Sequence, residues 1–374
     1  MDKRYWVGFN LVKGIGAVRL QGLRDYFGSL ELAWQAPVEA LLAAGLSPKL
    51  AERVLEVRAG VDLDRYLAQI AAQGIQILTW EDDLYPPQLK EIDQPPPVLY
   101  VRGQLTAEDA WAIAVVGTRR VTAYGRQVTE ELASFLAANG LTVVSGLARG
   151  VDAIAHQAAI KAGGRTVAVL GCGVDRVYPP EHAQLAEKIC AHGALISDYA
   201  PGTPPDASNF PPRNRIISGL SKATVVVEAG ETSGALITAQ FSIDQGREVF
   251  AVPGNIYAPQ SKGTNRLIAQ GARPLISWPD LLDILNLTYL HQQRQVRQVL
   301  PGDETEARLL SVLNQHEALH VDEIHRQTGL PVERVSATLT MMELKGLVRQ
   351  VGGMNFVAVR EDSAVYRVNH TNQD

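Results

Sequence analysis

The sequence predicts an α/β protein built on a mostly parallel sheet, with a helical module before it and a winged-helix module after it. Three observations carry this expectation. Between about 110 and 280, short apolar runs alternate with glycine-rich turns and amphipathic helices, the rhythm of a parallel sheet covered on both faces. Residues 1 to about 60 hold leucines at helical spacing broken by glycines. Residues 304 to 360 pattern as three helices and a closing strand pair.

In the first segment Leu11, Ile15, Val18, Leu20, Leu23, Phe27 and Leu30 form one helical series; Leu41, Leu42, Leu46, Leu50, Val54 and Leu55 form a second. Gly14-Ile15-Gly16 fits the turn of a helix–hairpin–helix, where a helix N-terminus can offer backbone N–H groups to a phosphate; Gly45-Leu46-Ser47 fits it poorly. The same glycines would serve equally as tight turns in a small bundle. The charge of 1–60, eight basic against six acidic residues, does not separate the two readings. Tyr85-Pro86-Pro87 and Pro95-Pro96-Pro97 cannot sit inside helices or central strands, so an extended lead-in is expected there.

The predicted strands of the middle segment are 112–116, 141–144, 166–170, 194–196, 223–227 and 248–252, with helices over 125–139, 152–162 and 234–245. A polar stretch ending in Pro301-Gly302-Asp303 reads as a linker. In the tail the expected strands are 346–351 and 354–359, joined at Gly352-Gly353, after a would-be recognition helix over 332–345. Residues 303–374 hold seven basic and eleven acidic side chains, a charge of −4. Duplex readers need a positive face, so a protein contact is favoured for this tail.

The 374 residues exceed one ordinary core and imply two or three domains. With 46% hydrophobic and 20% charged residues the chain is not of the disordered class, and a net charge of −5 excludes a histone-like basic binder. Cys172 and Cys190 are too few for a disulfide framework or a four-thiolate zinc site. No apolar run is long enough for a membrane helix and the first residues lack a signal-peptide core, so a cytoplasmic protein is expected.

In an open parallel sheet the ligand crevice lies at the carboxyl ends of the strands. Those ends carry Gly117-Thr118-Arg119-Arg120, Ser145 through Asp152, Gly171-Cys172-Gly173, a long loop ending in Phe210-Pro211-Pro212-Arg213-Asn214-Arg215, and Glu228 through Gly234. A dinucleotide fingerprint is absent: no third glycine follows Gly171-Cys172-Gly173, and no Walker A pattern occurs. What remains is a set of turns rich in small residues and arginine. Glycine and serine let backbone N–H groups approach an anion; Arg119, Arg149, Arg213 and Arg215 supply forked donors for phosphate; Phe210 offers a face for a base. Single-stranded nucleic acid requires this combination. The competing account has the arginines bridging Asp152, Asp175, Asp198 and Glu228. Hydrolytic chemistry is thin: His156 reads as a satisfied, partly buried side chain, Ser233 as a helix cap or phosphate contact, and Cys172 as packing.

Together these stretches resemble the DprA/Smf family of DNA-processing proteins. The residues that carry the resemblance are VVGTRRVTAYG (115–125), SGLARGVDAIAH (145–156), VAVLGCGVDRVYP (167–179), FPPRNRIISGLS (210–221), the run 225–255 and SKGTNRLIAQGA (261–272). One departure is Tyr178-Pro179-Pro180-Glu181-His182, where the family has Tyr-Pro-x-x-Asn; another is Asp198, where glutamate is commoner. The resemblance implies a helix-hairpin-helix/SAM-like domain over 1–75, an extended Rossmann-like DNA-binding domain over 76–285, a linker over 286–302 and a winged-helix domain over 303–368. It implies binding of single-stranded DNA without hydrolysis and without a cofactor or metal, partnership with the recombinase RecA during natural transformation, and a homodimer formed through the Rossmann-like domain. Carried over residue by residue, the DNA contacts would be Arg119, Ser145, Gly146, Arg149, Phe210, Arg213, Asn214, Arg215 and Ser233. Two alternatives remain. One is a nucleotide hydrolase of the phosphoribohydrolase kind, with Glu228 and Glu231 as acid–base groups; in the other the acidic tail carries the main partner contact.

Overall fold

The computed structural model describes residues 2–285, 304–313, 318–344 and 347–358. The chain forms two compact units divided at Leu285. The expected linker lies outside the described residues, as do positions 345–346 and 359 at the ends of the expected tail elements.

Six helices open the first unit: α1 (Arg4–Leu11), α2 (Ala17–Phe27), α3 (Leu30–Gln35), α4 (Val38–Ala43), α5 (Pro48–Gly60) and α6 (Leu63–Ala72). Gly14-Ile15-Gly16 turns α1 into α2, and Gly45-Leu46-Ser47 turns α4 into α5. Most of the two series pack into one core with Phe9 and Trp34, whose rings meet edge to face at 5.0 Å, but Val18, Leu42 and Leu55 are exposed. That core continues onto the sheet through Ile75, Val98 and Tyr100, so the helical module is packed against the sheet within one unit.

The sheet has nine strands: β1 (Ile75–Thr79), β2 (Val98–Gly103), β3 (Ala112–Val116), β4 (Thr142–Ser145), β5 (Thr166–Val169), β6 (Gly193–Ser197), β7 (Ala223–Val226), β8 (Glu248–Ala251) and β9 (Arg273–Pro274). Their order is β1-β2-β6-β5-β4-β3-β7-β8-β9. The six strands expected from apolar runs are all present, and parallel pairing runs from β6 to β9. β1 and β2 are additions: they pair antiparallel with each other, and β2 pairs antiparallel with β6. The proline segment before β2 is partly extended, as expected, but Pro86-Pro87 starts a short helix, α7 (Pro87–Lys90), where proline's missing N–H costs nothing.

Alternation along β5 separates the two faces. Val167 and Val169 join the core that holds Ile216, Ile217, Ala235 and Ala239; Ala168 and Leu170 join one with Ala153, Ala186 and Ile189. The helices after the strands therefore divide. On the second face lie α9 (Val151–Lys161), packed on α8 (Ala123–Ala138), and α10 (Ala183–His192). On the first lie α11 (Phe210–Gly219), α12 (Gly234–Asp244) and, through Leu267, α13 (Lys262–Ala269); a last helix, α14 (Trp278–Ile284), follows β9. β3 and β7 are neighbours whose following helices leave to opposite faces, which opens a crevice at their carboxyl ends.

The second unit holds α15 (Glu304–Leu313), β10 (Leu319–His320), α16 (Val321–Thr328), α17 (Val332–Leu344), β11 (Val348–Gln350) and β12 (Asn355–Ala358), with sheet order β10-β12-β11. Leu309, Ile324, Val335, Leu339, Met342 and Phe356 fill its core. Three helices closed by a small antiparallel sheet make a winged helix, as the sequence predicts.

Candidate nucleic-acid interface

The turns after β3 and β7 and the start of α11 surround a crevice of about 840 Å³. Arg119, Arg120, Phe210, Arg213, Asn214 and Ser233 line it. A smaller recess beside it is bordered by Arg149, Tyr178 and Gly146. Strand geometry brings these residues together because each apolar run stops where its glycine-rich turn begins.

The arginines do different things. Arg119 and Arg120 are exposed at the mouth, and among the described residues neither guanidinium has a carboxylate within ion-pair distance. Arg149 is exposed but held by Glu181 at 2.5 Å, which raises its pKa and lowers that of Glu181. Arg213 is only 5% exposed. Its Nη1 donates to Gly146 O at 2.9 Å and to Val169 O, while Nε is buried and has no hydrogen-bond partner among the described residues. Burial lowers its pKa against the opposing charge of Asp152. Burial likewise pushes Asp152 up, although Arg213 and the Gly146 and Ala148 N–H groups oppose it. Arg213 is therefore the floor of the crevice, a cation whose field reaches the opening from below.

Three expected residues sit differently from the sequence reading. Arg215 does not line the crevice: its guanidinium pairs with Asp198 at 2.9 Å and donates to Gln94 O and Pro212 O. Two positions along a helix turn a side chain about 200°, so Arg213 and Arg215 face opposite ways. Ser145 is fully buried at the end of β4 and donates to Val115 O at 2.7 Å. Gly146 borders the recess, but its N–H is taken by Asp152 and its carbonyl by Arg213. The bridging account thus holds for Arg215 with Asp198; Arg149 is bridged by Glu181 instead, and Arg213 feels the charge of Asp152 with no ion pair among the described residues.

Phe210 is half-buried against Tyr178, with ring centroids 5.6 Å apart and planes tilted by 37°, and Arg213 Cζ lies 5.8 Å from its centroid. Gly171 makes this possible: a Cβ there would stand 2.9 Å from the Phe210 ring. Tyr178 and Arg120 were missed as site residues. Adjacency to Arg119 signalled the latter, but nothing in sequence ties residue 178 to residue 210. Asn214 lies against the crevice and donates to Gly234 O at 3.3 Å. Ser233 caps α12 by accepting from Ala235 N.

Glu228 is buried and accepts from Thr122 N at 3.0 Å and from Thr122 Oγ1 at 2.5 Å, fixing the start of α8. A Cβ at Gly125 would collide with that carboxylate. Glu231 stands exposed 3.9 Å from Lys262. His156 is fully rather than partly buried. Thr166 Oγ1 donates to Val143 O, so His156 Nδ1 must donate to Thr166 Oγ1, leaving Nε2 without a partner among the described residues; burial lowers its pKa to about 3. Among the described residues no His, Cys, Asp or Glu cluster could hold a metal ion, and no helix is long and apolar enough to cross a membrane.

Comparison with known proteins agrees with this architecture. Residues 76–286 match the DNA recombination-mediator protein A family and residues 294–354 match the DprA winged helix domain. Protein Smf of Synechocystis sp. is 36% identical across 95% of this chain and 98% of its own. The crystal structure of DNA processing protein A from Streptococcus pneumoniae superposes with a TM-score of 0.66 at 32% identity, over 75% of this chain and 97% of that one. A structure of the Helicobacter pylori protein, described for its single-stranded DNA binding mode, gives 0.51 at 31% identity over 56% and 95%. With its strand-end crevice, its winged helix and relatives matched over nearly their whole length, this chain belongs to the DprA/Smf family of DNA-processing recombination mediators.

Proposed function

We propose that this chain binds single-stranded DNA in the strand-end crevice without hydrolysing it, protects incoming strands and helps load RecA during natural transformation. The observation that carries the reading is the pairing of unneutralised Arg119 and Arg120 with the Phe210–Tyr178 ring pair around one crevice of about 840 Å³. Phosphates would meet Arg119, Arg120 and Arg149; a base would stack on Phe210; Asn214 and Ser233 would contact the strand from the far wall. In this scheme Gly146 and Arg213 shape the floor, while Ser145 and Arg215 hold the scaffold. The same reading includes a cytoplasmic homodimer, a helical domain over 1–75, a Rossmann-like domain over 76–285 and a linker over 286–302. It also includes a winged-helix domain over 303–368 that meets a protein partner. The hydrolase alternative is weakened because Glu228 is buried and occupied by Thr122.

Fluorescence anisotropy of labelled single-stranded and duplex oligonucleotides across a salt series tests the proposal. Tight, salt-sensitive binding to the single strand is expected, with weaker duplex binding. Arg119→Ala should lower the single-strand salt slope by about 0.7. Equal affinity for both forms, or an unchanged Arg119→Ala variant, would overturn it.

A further inference from the structure

The crevice has a neighbour. Its border at Pro205 and Ala207 belongs to the loop after β6, and the helical module grips the base of that loop. Asn10 Nδ2 donates to Asp198 O at 3.3 Å, the Tyr66 hydroxyl donates to Pro201 O at 3.1 Å, and Ala200 is buried in the module's core. The turn between α1 and α2 gathers cations on this side. Arg19 Nη1 donates to Gly14 O at 2.8 Å, and Arg53 Nη1, from α5, donates to Lys13 O at 3.0 Å. Lys13 and Arg19 are exposed.

Among the described residues none of these three has a carboxylate within ion-pair distance. Three other cations of the module do, Lys3 with Asp82, Arg4 with Asp2 and Arg24 with Glu81, while Lys49, Arg58 and Arg65 share the lack of an ion pair among the described residues but not the position at this turn. The acid that faces the turn across the loop is Asp206, whose carboxyl is held low first by Ser208 and also by the charge of Lys13. α2 begins at Gly16 with no side-chain cap and no acidic residue in its first turn, so its N-terminus adds to the positive potential. Like charges gathered at one turn repel one another, and the Gly14 and Lys13 carbonyls together with the charge of Asp206 on Lys13 offset that repulsion only in part. A polyanion would relieve that repulsion.

We propose that the Lys13–Arg19–Arg53 turn is a second phosphate-contact surface, which engages the single strand after it leaves the crevice past Ala207. This rests on the crevice reading and extends it. The test compares an oligothymidine of about six nucleotides, near the small end of single-strand site sizes, with one of about twenty. The full-length protein is used with the double variant Lys13→Gln/Arg19→Gln. The long strand should lose about tenfold in affinity, with a salt slope shallower by about 1.4, while the short strand binds as before. Lys13→Glu, at a side chain with no intramolecular hydrogen bond among the described residues, is the second variant and should act in the same direction. Unchanged long-strand binding in both variants, with Arg119→Ala still weakening both lengths, would overturn the second surface and leave the crevice intact. A loss confined to duplex, or equal on short and long strands, would overturn it too. If Arg119→Ala alters neither length, the crevice reading fails instead.

Discussion

Removing the Arg213 side chain should damage the fold far more than its apparent place among DNA-binding arginines suggests. In Arg213→Ala, Gly146 O and Val169 O lose a buried donor, and Asp152 loses the opposing charge that lowers its pKa. Each orphaned acceptor costs about 1–3 kcal/mol, and Asp152 stays buried without the opposing charge. These losses overlap, so a total of about 3–5 kcal/mol is expected, which for a domain of this size lowers Tm by on the order of 10 °C. Exposed Arg119→Ala should unfold close to the wild-type temperature while losing DNA affinity. The deficit should also depend on pH. Asp152's folded pKa is raised above its ordinary 3.8, so its relative stabilisation is present below 3.8 and is lost as pH rises through the folded value. Loss of Arg213 raises that folded value further. The gap between variant and wild type should therefore be widest near neutrality and narrow toward acid. Thermal unfolding by circular dichroism, run beside anisotropy on the same preparations, reads both effects. An Arg213→Ala protein that melts with the wild type yet binds DNA poorly would refute the buried-floor argument.

Three further outcomes are expected. Phe210→Ala should cost about 1–3 kcal/mol of single-strand binding with no change in salt slope, because a base face is lost and no charge; a shallower slope in the anisotropy series would argue against stacking. Glu181→Gln should free Arg149 and raise affinity a few-fold with a steeper salt dependence, whereas unchanged binding would mean that Arg149 takes no part. His156, neutral and buried with a pKa near 3, contributes stability above its unfolded value of 6.5 that is lost as pH falls toward 3. His156→Leu should flatten that acid slope in urea melts taken across the interval, and an unchanged slope would place the proton uptake elsewhere.

The six central strands were legible because both faces of a parallel sheet are covered, so strands such as 112–116 are unbroken apolar runs. β1 and β2 were not: β2 follows the Pro95–Pro97 run, both pair antiparallel at the edge of the parallel sheet, and both carry polar positions such as Gln76 and Arg102. The candidate site was legible as a set of turns, not as a set of orientations. Sequence places Arg213 and Arg215 in one motif, and only the turn of α11 sends one beneath the crevice and the other to Asp198. Ser145 lies at the end of a strand, where alternation decides between crevice and interior, and its hydroxyl goes inward to Val115. Tyr178 could not be found because its partnership with Phe210 spans a long loop and depends on an absent side chain at Gly171.

The division among the arginines also explains how an acidic protein can present an anion site. A net charge of −5 would oppose DNA if spread evenly, but cations elsewhere are neutralised locally by carboxylates, whereas among the described residues Arg119 and Arg120 at the crevice have no ion pair. Arg149 beside the crevice is matched by Glu181 and Arg215 behind it by Asp198, while Arg165 meets Asp109, which also anchors Thr142, at the opposite ends of the strands. Pairing these charges off leaves Arg119 and Arg120 uncompensated at the rim and Arg213 beneath it, screened from solvent. Field strength at the mouth is then set by a few residues at short range, since charges beyond about 10 Å are largely screened at 0.1 M salt. In the proposed reading, selectivity for an unpaired strand would come from the other component: Phe210 sits against Tyr178 inside a crevice, and a base could reach that ring only when it is not stacked in a duplex.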